Sequence, residues 1–298
     1  MYAKSSKYNR FRAKIIIKSK MKKIVVMLDS FKLEYLKYTM YLKGKTKEFQ
    51  HGELETPLGF WGGMDTFFHG SSDKLAFFYY SEKSSWRLIK FFTWMGRFPV
   101  DVIINLWNLF WGDTLFRTNK IPLKNFYKFD TDVKIPLHKK TNTRYITFHE
   151  LDGIAHKFGT KSKEVKEEVQ RLDKIVSKMK WDIIMSDHGM LNIKEFVKVP
   201  ETEKCFIDST LARYWKEKPK KMPMNKCKLV KWKSKKYGDY IYLANPGVCF
   251  LPNYWQTRKC KAMHGYNPKL KDMKAFYILN KKGKKKNLTM EKLHEEIP

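Results

Sequence analysis

WDIIMSDHGM, residues 181–190, is the stretch on which the fold turns. An apolar run, Ile183 to Met185, stops at a carboxylate and an imidazole, Asp187 and His188, with Gly189 placed to free the turn. Neighbouring side chains on a continuing strand point to opposite faces, so these two share one target only where the strand has ended. A continuous apolar run suits a strand buried on both faces, as in a parallel sheet covered by helices. The preceding segment supplies that cover. SKEVKEEVQRLDKIVSKMK, residues 162–180, carries Val165, Val169, Leu172, Ile175 and Val176 at helical spacing. Before it, RYITF at 144–148 reads as a strand, with a loop from there to the helix. Strand, helix, strand is a crossover unit, and the class it predicts is α/β: a mostly parallel central sheet between helical layers.

Further runs extend the sheet. KIVVMLD, residues 23–29, is a second continuous apolar strand ending in an acid, and MKAFYILN at 273–280 is a late one. YIYLANPGVCFLPNYW, 240–255, resumes strand character. TPLGFWGGMDTFFHG, 56–70, is a Pro/Gly-punctuated loop entering a short helix. With 298 residues and 43% hydrophobic content, one domain over residues 21–298 can bury an ordinary core. Residues 1–20 read as a basic extension ahead of Met21, and the lysine-dense tract near 216–236 as an inserted surface excursion.

A net charge of +31, from 61 basic against 30 acidic residues, attracts anionic substrates, polyanions and anionic membrane surfaces. Lysine far outnumbers arginine, however, and arginine is the side chain suited to bidentate phosphate and base contacts. Most of the excess therefore reads as a solvated surface. The tryptophan-rich residues 86–111 are explained by core packing, with a membrane-surface patch as the sharper alternative. There is no 18-residue apolar span, and the four cysteines, at 205, 227, 249 and 260, show no CxxC spacing. The expectation is a cytoplasmic protein with reduced thiols, peripheral to a membrane if the 86–111 patch is interfacial.

Ligand-type residues gather at the expected strand ends. Asp29 closes the first run. Asp152 and His156, four apart in ELDGIAH, lie one helical turn from each other and can face one ion. Asp187 and His188 end the strand quoted first, and His264 sits in the glycine-flanked MHGYNP ahead of the last one. The carboxyl ends of parallel strands form one crevice. Six oxygen and nitrogen ligands there suffice for two divalent ions, zinc first, with manganese or iron the alternatives.

The ordered set VVMLDS, ELDGIAHKFG, MSDHGM and MHGYNP resembles the alkaline phosphatase superfamily, in its type I phosphodiesterase/nucleotide pyrophosphatase branch. FIDSTLARYW and PGVCFLPNYW are similar to a phosphodiesterase-like subgroup. The resemblance implies that Asp152, His156 and His264 hold one ion and Asp29, Asp187 and His188 the other. It further implies hydrolysis of a phosphodiester or nucleotide pyrophosphate. One feature departs from the family pattern. The family's Thr or Ser nucleophile, at a helix start, falls here near Phe60 or Trp61. Thr56 and Thr66 are the nearby hydroxyls and the candidate catalytic residues. The alternative is a degenerate, metal-keeping relative that binds polyanions or a membrane surface without turnover.

Overall fold

The computed structural model describes residues 23–59, 62–76, 78–81, 129–131, 143–254 and 258–297. The basic extension 1–20, the tryptophan-rich 86–111 segment and Phe60–Trp61 lie outside the described residues.

The first strand, β1 (Lys23–Leu28), is followed by β2 (Phe49–Glu55) and helix α1 (Gly62–His69). Strand β3 (Thr143–Phe148) leads directly into α2 (Glu150–Phe158) and then α3 (Lys163–Val176). The loop expected between β3 and α3 is therefore largely a helix. It forms because Leu151 and Ala155 share a face that buries completely. After α3 comes β4 (Ile183–Met185), the strand of the opening quotation. Four strands then form a second sheet: β5 (Cys205–Ile207), β6 (Leu211–Tyr214), β7 (Cys227–Val230) and β8 (Tyr240–Ala244). The chain returns to the first sheet through β9 (Ala275–Lys282) and β10 (Leu288–Thr289), and ends in α4 (Met290–His294).

The first sheet has the order β10-β2-β9-β4-β1-β3. Strand β1 runs parallel to both neighbours, β3 and β4, and β10 runs parallel to β2. Only β9 runs against its partners, β4 and β2. Neither β1 nor β4 is an edge strand. Val26 and Leu28 of β1 pack with α2 and α3, through Leu151, Ala155, Val165, Val169, Leu172 and Val176. Val25 and Met27, on the other face, pack with Phe67 of α1 and with Met290 and Leu293 of α4. Two covered faces explain why these strands read as unbroken apolar runs.

Helix α3 begins at Ser162, whose Oγ accepts the Val165 amide at 3.2 Å. Four of its five expected apolar positions are core, while Ile175 is only half-buried. Asp173 is buried beside this core. It accepts the amides of Met40, Tyr41 and Leu42 at 2.9, 3.0 and 2.8 Å, and so caps the short helix Tyr41–Lys45 from another element. The lysine-dense tract is not a free excursion: β7 lies within it and pairs antiparallel with β8 as the edge of the second sheet, with Cys227 buried. Among the described residues no helix is long and apolar enough to cross a membrane.

Candidate metal centre

The carboxyl ends of β1, β3 and β4 meet at one edge, joined there by the start of β9, which runs the other way. Ser186 ties these tips together: its hydroxyl donates to Phe31 O at 2.6 Å and accepts the Phe276 amide at 2.9 Å. At the tip of β1 the Asp29 amide still reaches Phe148 O of β3, at 3.0 Å. The next residue, Ser30, bends sharply at φ +64°. A left-handed conformation at a non-glycine costs roughly 1–2 kcal/mol, and here it aims the Ser30 amide at Asp187 Oδ1, 3.3 Å away.

Gly189 has a different reason to be glycine than the one its position suggests. It does not adopt positive φ. A Cβ on it would stand 2.2 Å from the Asp272 carbonyl oxygen, and its amide donates to Met273 O at 3.1 Å. Close approach of two backbones is the requirement, not freedom of the turn. Gly189→Ala is expected to destabilise the fold by about 1–3 kcal/mol by overpacking and to displace His188. Chemical denaturation checks it; a change below about 0.5 kcal/mol would be that of an ordinary surface site.

The six residues singled out from the sequence come together at this edge. Asp152 Oδ2 and His156 Nε2, one turn apart on α2, are 3.3 Å from each other. His188 Nε2 lies 3.3 Å from Asp187 Oδ2 and 3.5 Å from Asp29 Oδ1. The His264 ring stacks on His188 with centroids 3.8 Å apart and is 5.4 Å from the His156 ring. Two groups have ligand atoms within 4.8 Å of one another: Asp152, His156 and His264, and Asp29, Asp152 and His188. Asp152 thus belongs to both, and Asp187 joins the second through His188. Backbone carbonyls orient two imidazoles, Ala262 O holding His156 Nδ1 at 2.8 Å and Gly189 O holding His188 Nδ1 at 3.1 Å. Each ring thereby presents its Nε2, the usual outer-shell arrangement of a ligating histidine.

The charge state of this cluster is what a cation would relieve. Burial first, then the Asp187 and Asp152 charges, push the Asp29 carboxyl well above its usual range. Burial and the neighbouring His188 hold His264 well below the usual imidazole value, which keeps its lone pair for a ligand. Burial opposes the charge on His156, but its pairing with Asp152 outweighs this and raises it to about 10. Desolvation opposes the charge on half-buried Asp152 too, yet His156, His264 and His188 together hold it below the usual carboxylate range. Asp29 Oδ1 and Asp152 Oδ1 are buried and have no hydrogen-bond partner. Orphaned carboxylate oxygens are costly unless something satisfies them. Two unsatisfied oxygens among three imidazoles fit divalent ions well.

The two candidate hydroxyls fare differently. Strand β2 is antiparallel to β9, as is β4, so β2 ends at the ligand edge and Thr56, buried, stands just beyond it. Thr66 is fully buried inside α1 and its hydroxyl donates to Ser71 O at 3.2 Å, so the structure turns it onto the backbone rather than toward the ligands. The first turn of α1 nonetheless abuts the site: a Cβ on Gly63 would lie 2.3 Å from the Asp187 carbonyl oxygen. One residue was passed over in the sequence. His149, between β3 and α2, places Nδ1 2.7 Å from Asp29 Oδ2. Its only sequence signal is a histidine directly after a strand and three residues before Asp152.

The family model for type I phosphodiesterase/nucleotide pyrophosphatase matches residues 60–233, well over half of the chain. The chain belongs to the type I phosphodiesterase/nucleotide pyrophosphatase family. Its match spans Asp152, His156, Asp187 and His188, while Asp29 and His264 come to the same edge from outside it. Solved structures agree on the fold. Murine ectonucleotide pyrophosphatase/phosphodiesterase 5, as an inactive point variant in complex with AMP, superposes with a TM-score of 0.62 at 14% identity, covering 93% of this chain and 94% of that one. The human ectonucleotide pyrophosphatase/phosphodiesterase 5 gives 0.62 at 14% identity, over 92% and 93%. A search by sequence finds no match among curated proteins.

Proposed function

We propose that this family member is a hydrolase of phosphodiesters or nucleotide pyrophosphates that uses two divalent ions, zinc by preference and manganese as the alternative. The observation that carries the reading is the convergence of three carboxylates and three imidazoles around two orphaned carboxylate oxygens. Asp152, His156 and His264 would hold one ion, and Asp29, Asp187 and His188 the other. When bound, such a pair neutralises charge on a phosphoryl group and on its attacking and leaving oxygens. The chain's own contribution is positional. Ala262 and Gly189 carbonyls aim the His156 and His188 rings, and the α1 amino end beside Asp187 offers backbone N–H groups to phosphoryl oxygens. The basic surface gathers anionic substrate.

Thr56 is the candidate nucleophile, since it stands at the ligand edge. One observation favours a second reading, an ion-keeping relative without turnover: residues 57–65 carry no hydroxyl at all. A chromogenic bis-aryl phosphodiester with zinc or manganese separates the two readings. Wild type and Thr66→Ala are expected to turn over, and Thr56→Ala and Asp187→Ala to fall to background. Equal background in all four would establish the second reading. Loss of activity with chelator but not with moderate salt would set hydrolysis apart from simple polyanion binding, which is salt-sensitive.

A further inference from the structure

We infer that His149 is a positioning residue: it fixes the Asp29 carboxylate so that one oxygen is committed to the protein and the other to an ion. The inference rests on the two-ion reading. Asp29 has two differently placed oxygens. Oδ2 meets His149 Nδ1 at 2.7 Å, while Oδ1 is buried without a hydrogen-bond partner and lies 3.5 Å from His188 Nε2. A ligating carboxylate only accepts hydrogen bonds, so Nδ1 carries the proton and donates it to Oδ2. Rotation of the carboxylate would break this bond, and Oδ1 is thereby held toward the ligands.

Local structure does not otherwise account for the imidazole. His149 occupies the N-cap position of α2, where Ser, Thr, Asp or Asn is favoured, and its side chain makes no capping bond. The side chain is 64% exposed, so it contributes little to the core. Its partner is 120 residues away, on the tip of β1. The bond therefore ties the strand that ends in Asp29 to the helix that carries Asp152 and His156. It sets the position of one proposed ligand group relative to the other.

Zinc titration of metal-stripped wild type, His149→Ala and His149→Asn against a chromogenic competing chelator tests this, with cobalt absorption as a second readout. Wild type is expected to bind two ions. His149→Ala should keep one site at wild-type affinity and weaken the other by 10–100-fold, the usual effect of losing an outer-shell partner. His149→Asn, whose amide nitrogen can take the place of Nδ1, should recover most of that loss. The thermal midpoint of the ion-free variants should stay near wild type. Unchanged affinities in His149→Ala overturn the inference. So does an equal loss at both sites, or a loss that asparagine does not repair, since each points to a merely structural role. A wild type that binds no ion fails earlier and overturns the two-ion reading itself.

Discussion

On the two-ion reading proposed above, Asp152→Asn is expected to lower phosphodiester turnover by about three decades and to abolish the rise in thermal midpoint that the same reading expects zinc to give the wild type. The substitution keeps the size of the side chain and removes its charge. Asp152 is the one carboxylate present in both ligand groups, with Oδ2 toward His156 and Oδ1 buried and unsatisfied. An asparagine supplies one neutral oxygen in place of two charged ones, so both groups are weakened together. Several kcal/mol of charge stabilisation at phosphorus depends on such ligation, and each 1.4 kcal/mol is a factor of ten. The two readouts guard against misreading. In the ion-free protein, removing this carboxylate relieves repulsion on Asp29 but takes the counter-charge from His156, so the quantity to compare is the shift that zinc produces in each protein, not the midpoint without zinc. A ligand that binds only the folded state raises the midpoint in proportion to its affinity. A variant that lost turnover but kept the full zinc-dependent rise would show that Asp152 is not a ligand.

What the sequence discloses here follows from what each residue must satisfy alone. Strands β1 and β4 are legible because both faces are buried and every position from Ile24 of β1 and throughout β4 is apolar. Helix α3 is legible because its period is kept over four turns. The Asp–x3–His pair works as a signal because helix geometry, not tertiary context, puts both side chains on one side. Other features depend on partners distant in the chain. Strand β2, FQHGELE, has little strand character; Gly52 lets the Lys286 backbone come so near that a Cβ would meet its carbonyl oxygen at 2.1 Å. The direction of β9 is set by how the chain returns from the second sheet, and no residue in MKAFYILN encodes it. The lysines of 226–236 hide β7 because only Cys227 of that strand is buried. His149 is invisible for the same reason: its meaning lies in Asp29, on another strand.

FIDSTLARYW, read from sequence as part of the family signature, is expected to govern stability rather than ion binding. Asp208→Ala should cost about 3–5 kcal/mol of folding free energy while leaving ion content unchanged. The motif is a hairpin between β5 and β6, closed by the Asp208 amide on Leu211 O at 2.7 Å. Within it Arg213, with a fully buried side chain, donates from Nε to Asp208 Oδ2 at 3.2 Å and from Nη1 to Phe78 O at 2.5 Å. Its guanidinium lies over the rings of Phe206 and Trp215, 4.9 and 5.5 Å from their centroids. Burial already pulls the Arg213 pKa below its usual value against the Asp208 charge, and Nη2 has no hydrogen-bond partner. Removing Asp208 strips the guanidinium of its counter-charge at a position closed to solvent, and the Phe78 carbonyl and two rings offset only part of that. Pairing Asp208→Ala with Arg213→Met removes both charges and should recover most of the loss, because a buried ion pair and a well-packed apolar substitute are often close in stability. Denaturant unfolding of the four proteins closes the cycle. A single variant within about 1 kcal/mol of wild type, or a double variant no better than the single, would show that Arg213 does not depend on Asp208.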